Sequence, residues 1–200
     1  MGGYTFDYPL FLWLNFDGGA AMDRLMLTAS TPVAWAWLYL LIIYILWRRG
    51  GWRSVLLFLV AAAVAVVLGD MISGIFKHTG MLKNLWAEFP ARLRPMYTPE
   101  LEGAVSNILK KGGQYGTVSG HAATMMAMAM VSVTIIGRRW FTCLMVAVVL
   151  VVCYSRIYLA YHFPVDIALG LLTGVVSGGV GLLVLRMARR IQNSKFKIQN

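Results

Sequence analysis

Acidic residues are scarce in this 200-residue chain. Eight Asp and Glu stand against eighteen Lys and Arg, and charged residues of all kinds make up only 13%. Soluble domains carry about a quarter charged residues, so a freestanding soluble domain is excluded. Cysteine is nearly absent. Cys143 and Cys153 lie ten residues apart within one apolar run, too far to pair along one helix. They read as small buried hydrophobes and exclude a disulfide framework. Histidine occurs three times, without a His-x-x-x-His pair or a cysteine cluster beside it, so the usual zinc spacings are missing. The first residues carry no basic stretch ahead of an apolar core and a small-residue cleavage site, so no signal peptide is expected.

What fills the chain instead is hydrocarbon: 59% of residues are hydrophobic. The apolar runs are "PVAWAWLYLLIIYILW" (32–47), "SVLLFLVAAAVAVVLG" (54–69), "HAATMMAMAMVSVTII" (121–136), "FTCLMVAVVLVVCYS" (141–155) and "VDIALGLLTGVVSGGVGLLVL" (165–185). With its ends included, each approaches the roughly 20 residues that cross a bilayer as a helix. Five spans leave no room for a separate soluble domain, so residues 1–200 read as one all-α, polytopic transmembrane bundle. Residues 8–29 mix greasy runs with Asp17, Asp23 and Arg24; the expectation there is an interfacial amphipathic helix, with an imperfect sixth span as the alternative. The repeat Gly170, Gly174, Gly178 should let the last span pack closely on a neighbour.

The net charge of +10 could suggest nucleic acid. The placement of the basic residues argues otherwise. "RRGGWR" (48–53), "RR" (138–139) and "RMARRIQNSKFK" (186–197) fall on one side of five alternating spans, and the positive-inside rule makes that side cytoplasmic. The C-terminus is then cytoplasmic, and the loops 76–120 and 156–164 face outward. Those outward loops nevertheless hold Lys77, Lys83, Arg92, Arg94, Lys110, Lys111 and Arg156. Positive charge kept against the topological trend needs an anionic partner, and phosphate suits arginine forks.

Three short stretches meet that outer face: "ARLRP" (91–95), "GTVSGHAA" (116–123) and "SRIYLAYHFPVD" (155–166). Ser119 and Gly120 precede the helical run that begins at His121. A helix start offers unpaired N–H groups and a positive dipole end, hence an anion site; the bland reading is a serine N-cap with a glycine turn. In the third stretch Pro164 should open the last span, which puts Asp166 in its first turn and within reach of His162. A carboxylate there would fix the imidazole tautomer and raise its nucleophilicity. The alternative is a structural cap beside an interfacial histidine.

Taken together, "RP … SGH … SRxxxxxHxxxD" resembles the type 2 phosphatidic acid phosphatase (PAP2) superfamily, integral-membrane relatives of the vanadium haloperoxidases. The resemblance covers roughly residues 70–170. Its third motif is complete here in Ser155, Arg156, His162 and Asp166. Two features depart from it: Val118 stands where the second motif has proline, and Ala87 stands where the first has lysine, seven residues before Arg94. An insertion would let Lys77, or else Lys83, supply that lysine. Asp70, Ser73 and Lys77 step by three and four and so share a helix face, from which Asp70 would orient Lys77.

The resemblance implies a membrane lipid phosphatase that needs neither metal nor cofactor. His162 would attack phosphorus to form a phosphohistidine, and Asp166 would hold His162. His121 would serve as general acid and then base. Arg94, Arg156, Ser119, Gly120 and Lys77 would bind the phosphoryl oxygens, while Arg92 would assist or contact a headgroup. Undecaprenyl diphosphate, lipid A phosphate, phosphatidylglycerol phosphate and phosphatidate all fit an outward-facing site. The stretches "GGQYGTVSGHAA" and "RLRPMYTPEL" look similar to bacterial members acting on lipid A and undecaprenyl diphosphate, which would place the chain in a bacterial inner membrane with its site toward the periplasm. The inserted residues 78–91, Trp86 among them, would shape headgroup choice. Three other readings stay open: a zinc hydrolase built on His121, His162 and Asp166, a lipid-binding or transport protein with a basic vestibule, and a catalytically degenerate family member. Oligomeric state is not written in these motifs.

Overall fold

The structure, a computed structural model, describes residues 4–198, with side chains as far as residue 190. Lys195 and Lys197, which end the third basic cluster, have side chains outside the described residues. Two short helices open the chain, α1 (Tyr8–Leu14) and α2 (Gly19–Ala29). A 3₁₀ turn at Pro32–Trp35 leads into α3 (Ala36–Ile75), followed by α4 (Gly120–Ile136), α5 (Arg139–Tyr158) and α6 (Pro164–Ile198).

By length and composition, Pro32–Ile75, Arg139–Tyr158 and Pro164–Arg190 can cross a membrane, and α4 is a shorter apolar helix. Helix α3 contains two rods. Its helical course breaks at Gly50 (φ −150°) and Gly51 (φ +63°), and the positive φ is one that glycine alone adopts cheaply. This break sits inside "RRGGWR", so residues 32–49 and 52–75 form two limbs joined by a basic turn. Five apolar rods result, as the hydropathy pattern predicts.

Each limb packs one stripe. Leu38, Ile42 and Leu46 are buried along the first, and Phe58, Ala61, Ala62, Ala65, Gly69 and Ser73 along the second. These are the three- and four-residue steps of a helix with one face inward. Helix α4 buries residues all round and is the central rod, packed against α3, α5 and α6. The glycine repeat faces α4. A Cβ at Gly174 would lie 2.5 Å from the Ala123 carbonyl oxygen, and one at Gly170 would lie 2.5 Å from that of Ser119. Only the missing side chains let the two backbones approach so closely.

The N-terminal segment corrects the expectation of one interfacial helix over 8–29. The chain breaks between Leu14 and Gly19, and neither piece is long enough to be a sixth span. The reason is Asn15. Its buried side chain donates to the carbonyls of Ile157 (3.1 Å) and Tyr158 (2.7 Å) and accepts from the Ser106 N–H (2.8 Å). Those bonds use an amide that a continuing helix would have turned elsewhere. Tyr158 adds a second tie, its hydroxyl donating to Asp23 at 2.8 Å. The segment is thereby docked on the end of α5.

Candidate functional site

The loop 76–119 reaches the site through a short run of backbone pairing. Leu93 bridges Tyr115 in antiparallel fashion. The Arg94 N–H donates to the Gln114 carbonyl (2.9 Å), and the Gly116 N–H to the Arg92 carbonyl (2.8 Å). This lays "RLRP" along "QYGTV" and delivers Arg94 to the start of α4. A further backbone bond, Ser119 N–H to the Asp166 carbonyl (3.0 Å), joins the start of α4 to the first turn of α6. The three motifs therefore converge through main-chain contacts between segments far apart in sequence.

They meet around a cavity of about 360 Å³. Asp70, Lys77, Arg94, Gly120, His121, Arg156 and His162 all border it. Ser119 lies beneath as the N-cap of α4, its hydroxyl accepting from the Ala122 N–H at 3.4 Å. Lys77 Nζ and Asp70 Oδ1 stand 3.3 and 3.5 Å from the point where a Cβ on Gly120 would sit, so the lysine hangs directly over the helix start.

His162 is 2% exposed. Its Nδ1 lies 2.8 Å from the Gly116 carbonyl oxygen and 3.6 Å from Asp166 Oδ2. A carbonyl only accepts, so Nδ1 carries the proton and Nε2 keeps its lone pair. Burial, then the charges of Arg156, Lys77 and Arg94, push the imidazole well below its ordinary range, so it is neutral at pH 7. Asp166 has two further duties. Its Oδ2 accepts from the Phe163 N–H at 2.9 Å, the return half of a capping box on α6, and its Oδ1 accepts from Arg92 at 3.3 Å. The cap and the contact with His162, alternatives in the sequence, coexist.

The basic groups are held apart by aromatic and carbonyl contacts. Arg156 lies over the Tyr161 ring at 4.0 Å and donates to the Ser30 hydroxyl. Arg94 lies over the same ring at 5.4 Å, with its Nε donating to the Tyr115 carbonyl at 3.1 Å. Lys77 is pushed down to about 8 by burial and by Arg94, with Asp70 working the other way. Gathering like charges around one cavity costs energy, and an anion bound among them would recover it.

Several predicted positions fall elsewhere. Arg92 does not border the cavity; it is 4% exposed and both of its Nη atoms are tied to other groups, Nη1 to Asp7 and Asp166 and Nη2 to Asp7, so it is buried away from any headgroup in the cavity. Lys83 is exposed and away from the cavity, whereas Lys77 borders it. Asp70 and Lys77 share the cavity, but no direct ion pair joins them among the described residues. Trp86 packs against Phe76 and Phe89 at 5.8 and 4.8 Å and lines none of the cavity. The third histidine, His78, donates from Nε2 to the Phe89 carbonyl at 2.7 Å and closes the inserted loop. Among the described residues no group of three His, Cys, Asp or Glu is placed to hold a metal ion.

No motif points to the opposite wall. Ser30, Thr31, Pro32, Trp35 and Tyr39, from the end of α2 and the start of α3, complete the cavity. The four-residue step from Trp35 to Tyr39 marks one helix face, though nothing local says what that face looks toward.

A model of the PAP2 superfamily matches residues 58–190. A lipid A 4'-phosphatase of Porphyromonas gingivalis is 28% identical over 170 residues, covering 84% of this chain and 68% of that protein. A lipid A 4'-phosphatase of Bacteroides thetaiotaomicron is 27% identical over 180 residues, covering 88% and 73%. The crystal structure of Aquifex aeolicus LpxE has the same fold, with a TM-score of 0.67 at 21% identity, over 90% of this chain and 96% of that one.

Proposed function

The chain belongs to the PAP2 superfamily and is a membrane phosphatase of that type; from this premise we propose that it removes a phosphate from a lipid A sugar, through a covalent phosphohistidine, at the outer face of the inner membrane. The observation that carries the mechanism is the state of His162: Nδ1–H is engaged by the Gly116 carbonyl at 2.8 Å, and Nε2 is left as the nucleophile beside a cationic cavity.

The Nε2 lone pair forms the N–P bond as the bond from phosphorus to the sugar oxygen breaks. His121 delivers its proton to that leaving oxygen. Arg94, Arg156, Lys77 and the amides at the start of α4 take up the charge that builds on the three phosphoryl oxygens, which is the main source of acceleration in phosphoryl transfer. In the second half His121 accepts a proton from water. The oxygen bonds to phosphorus, the N–P bond breaks, and inorganic phosphate leaves with His162 restored. Asp166 holds the turn that presents His162.

The choice of lipid A rests on the two relatives named as lipid A 4'-phosphatases. The Trp35 and Tyr39 wall supports a ring-bearing headgroup next to the phosphate, since aromatic faces pack well on rigid apolar surfaces. The acyl chains would remain in the bilayer beside α3.

The experiment is phosphate release by the purified protein in detergent, with EDTA present, from lipid A, undecaprenyl diphosphate, phosphatidylglycerol phosphate and phosphatidate. Release from lipid A that is lost in His162→Ala and indifferent to EDTA is the expected outcome. Preference for another lipid would overturn the substrate, and full activity in His162→Ala would overturn the mechanism.

A further inference from the structure

Arg92 lies outside the cavity and outside the three motifs' phosphate-binding set, yet its guanidinium is buried and both Nη atoms are engaged. Its Nη2 contacts Asp7 Oδ1 at 2.5 Å and its Nη1 contacts Asp7 Oδ2 at 3.1 Å, a two-pronged pair. The same Nη1 reaches Asp166 Oδ1 at 3.3 Å, and Nη2 also donates to the Tyr4 carbonyl at 2.9 Å. The guanidinium stacks on the Phe163 ring at 3.7 Å and on Tyr4 at 4.5 Å. Asp7, Arg92 and Asp166 are 3%, 4% and 0% exposed. The two carboxylates, and Asp7's hydrogen bond above all, outweigh burial and keep the Arg92 charge firmly in place.

A buried ionic triad is a poor way to gain stability, because desolvation offsets much of the attraction. What this triad gains is position. Asp166 Oδ2 is shared between the Phe163 N–H and the side facing His162 Nδ1, 3.6 Å away. Arg92 occupies the other oxygen and so fixes the rotation of the carboxylate. Asp7 in turn accepts from the Val165 N–H at 3.2 Å, pinning the first turn of α6 from the far side.

We propose that Asp7 and Arg92 are positioning residues of the reaction: Asp7 holds the Arg92 guanidinium, and Arg92 fixes the Asp166 carboxylate beside His162. The N-terminal segment is on this reading part of the catalytic device, acting through Arg92 without touching substrate. The inference rests on the phosphohistidine mechanism above.

The test uses the full chain and four proteins beside His162→Ala: the parent, Asp7→Asn, Arg92→Lys and the double variant. For each, kcat and KM on lipid A are measured per folded molecule. The rate at which a phosphoenzyme stable to alkali and labile to acid accumulates in a single turnover is measured alongside. Misplacing a reacting group by about 1 Å costs up to about a hundredfold. That loss is expected in kcat and in phosphoenzyme formation for both single variants, with KM within about threefold. The double variant should be no slower than the slower single, because both act through one carboxylate. Unchanged kcat in folded variants, or losses that multiply in the double, would overturn the inference while leaving the mechanism standing. If Asp7→Asn does not fold, Arg92→Lys decides by the same split of kcat from KM. A parent that releases no phosphate, or a fully active His162→Ala, overturns the mechanism and this inference with it.

Discussion

Lys77 sits two residues past the end of α3, where burial and Arg94 lower its ammonium to about 8. The sign of the consequence follows: the charge is present below that pH and is lost as pH rises through it. Because kcat/KM reports the free enzyme, it should fall above about pH 8, and Lys77→Arg, whose charge persists past pH 12, should move that alkaline limb out of range. A limb that stays put in the variant would mean another group sets it. The lysine's identity was only half legible in the sequence. Ala87 at the expected spacing signalled an insertion, but Lys77 and Lys83 were both available, and the end of α3 brings only the former to the cavity.

At the scale of elements, the contact between α4 and α6 is the most demanding in the bundle. A Cβ on Gly174 would meet the Ala123 carbonyl oxygen at 2.5 Å and the Met126 Cβ at 2.6 Å, so the helices would have to separate. Gly174→Val should destabilise the protein by about 1–3 kcal/mol, the usual cost of overpacking a tight core, read as a lower midpoint of thermal unfolding in detergent. The same change should slow catalysis, since Ser119 and Asp166 are joined across this interface. The glycine spacing was plain in the sequence, whereas the helix that would receive it was not. Residues 8–29 read as one helix in sequence, but Asn15 breaks the chain through partners more than ninety residues away.

For the whole molecule, the alternation of five rods puts the basic turns 48–53 and 138–139 at one end and the cavity at the other. In a Cys143→Ser, Cys153→Ser background, Glu88→Cys should react with a membrane-impermeant maleimide in cells stripped of their outer membrane. Arg53→Cys should react only after permeabilisation. The reverse pattern would put the site in the cytoplasm and remove lipid A at the outer face as its substrate.

The sequence by itself determined the class of the molecule and where its motif residues lie along the chain, because both are written locally. Apolar runs of bilayer length, a Gly-Gly break among arginines, and His162 four residues before Asp166 are readable from neighbours along the chain. Only the tertiary structure decided how those residues are brought together. Arg94 arrives by pairing 92–94 with 114–116, and the Gly116 carbonyl, closer than Asp166, sets the tautomer of His162. The cavity's far wall comes from residues 30–39, and Asp7 reaches the first turn of α6 across 158 positions. Such contacts join segments whose own periodicity carries no record of the partner, so they exist only once the helices have packed.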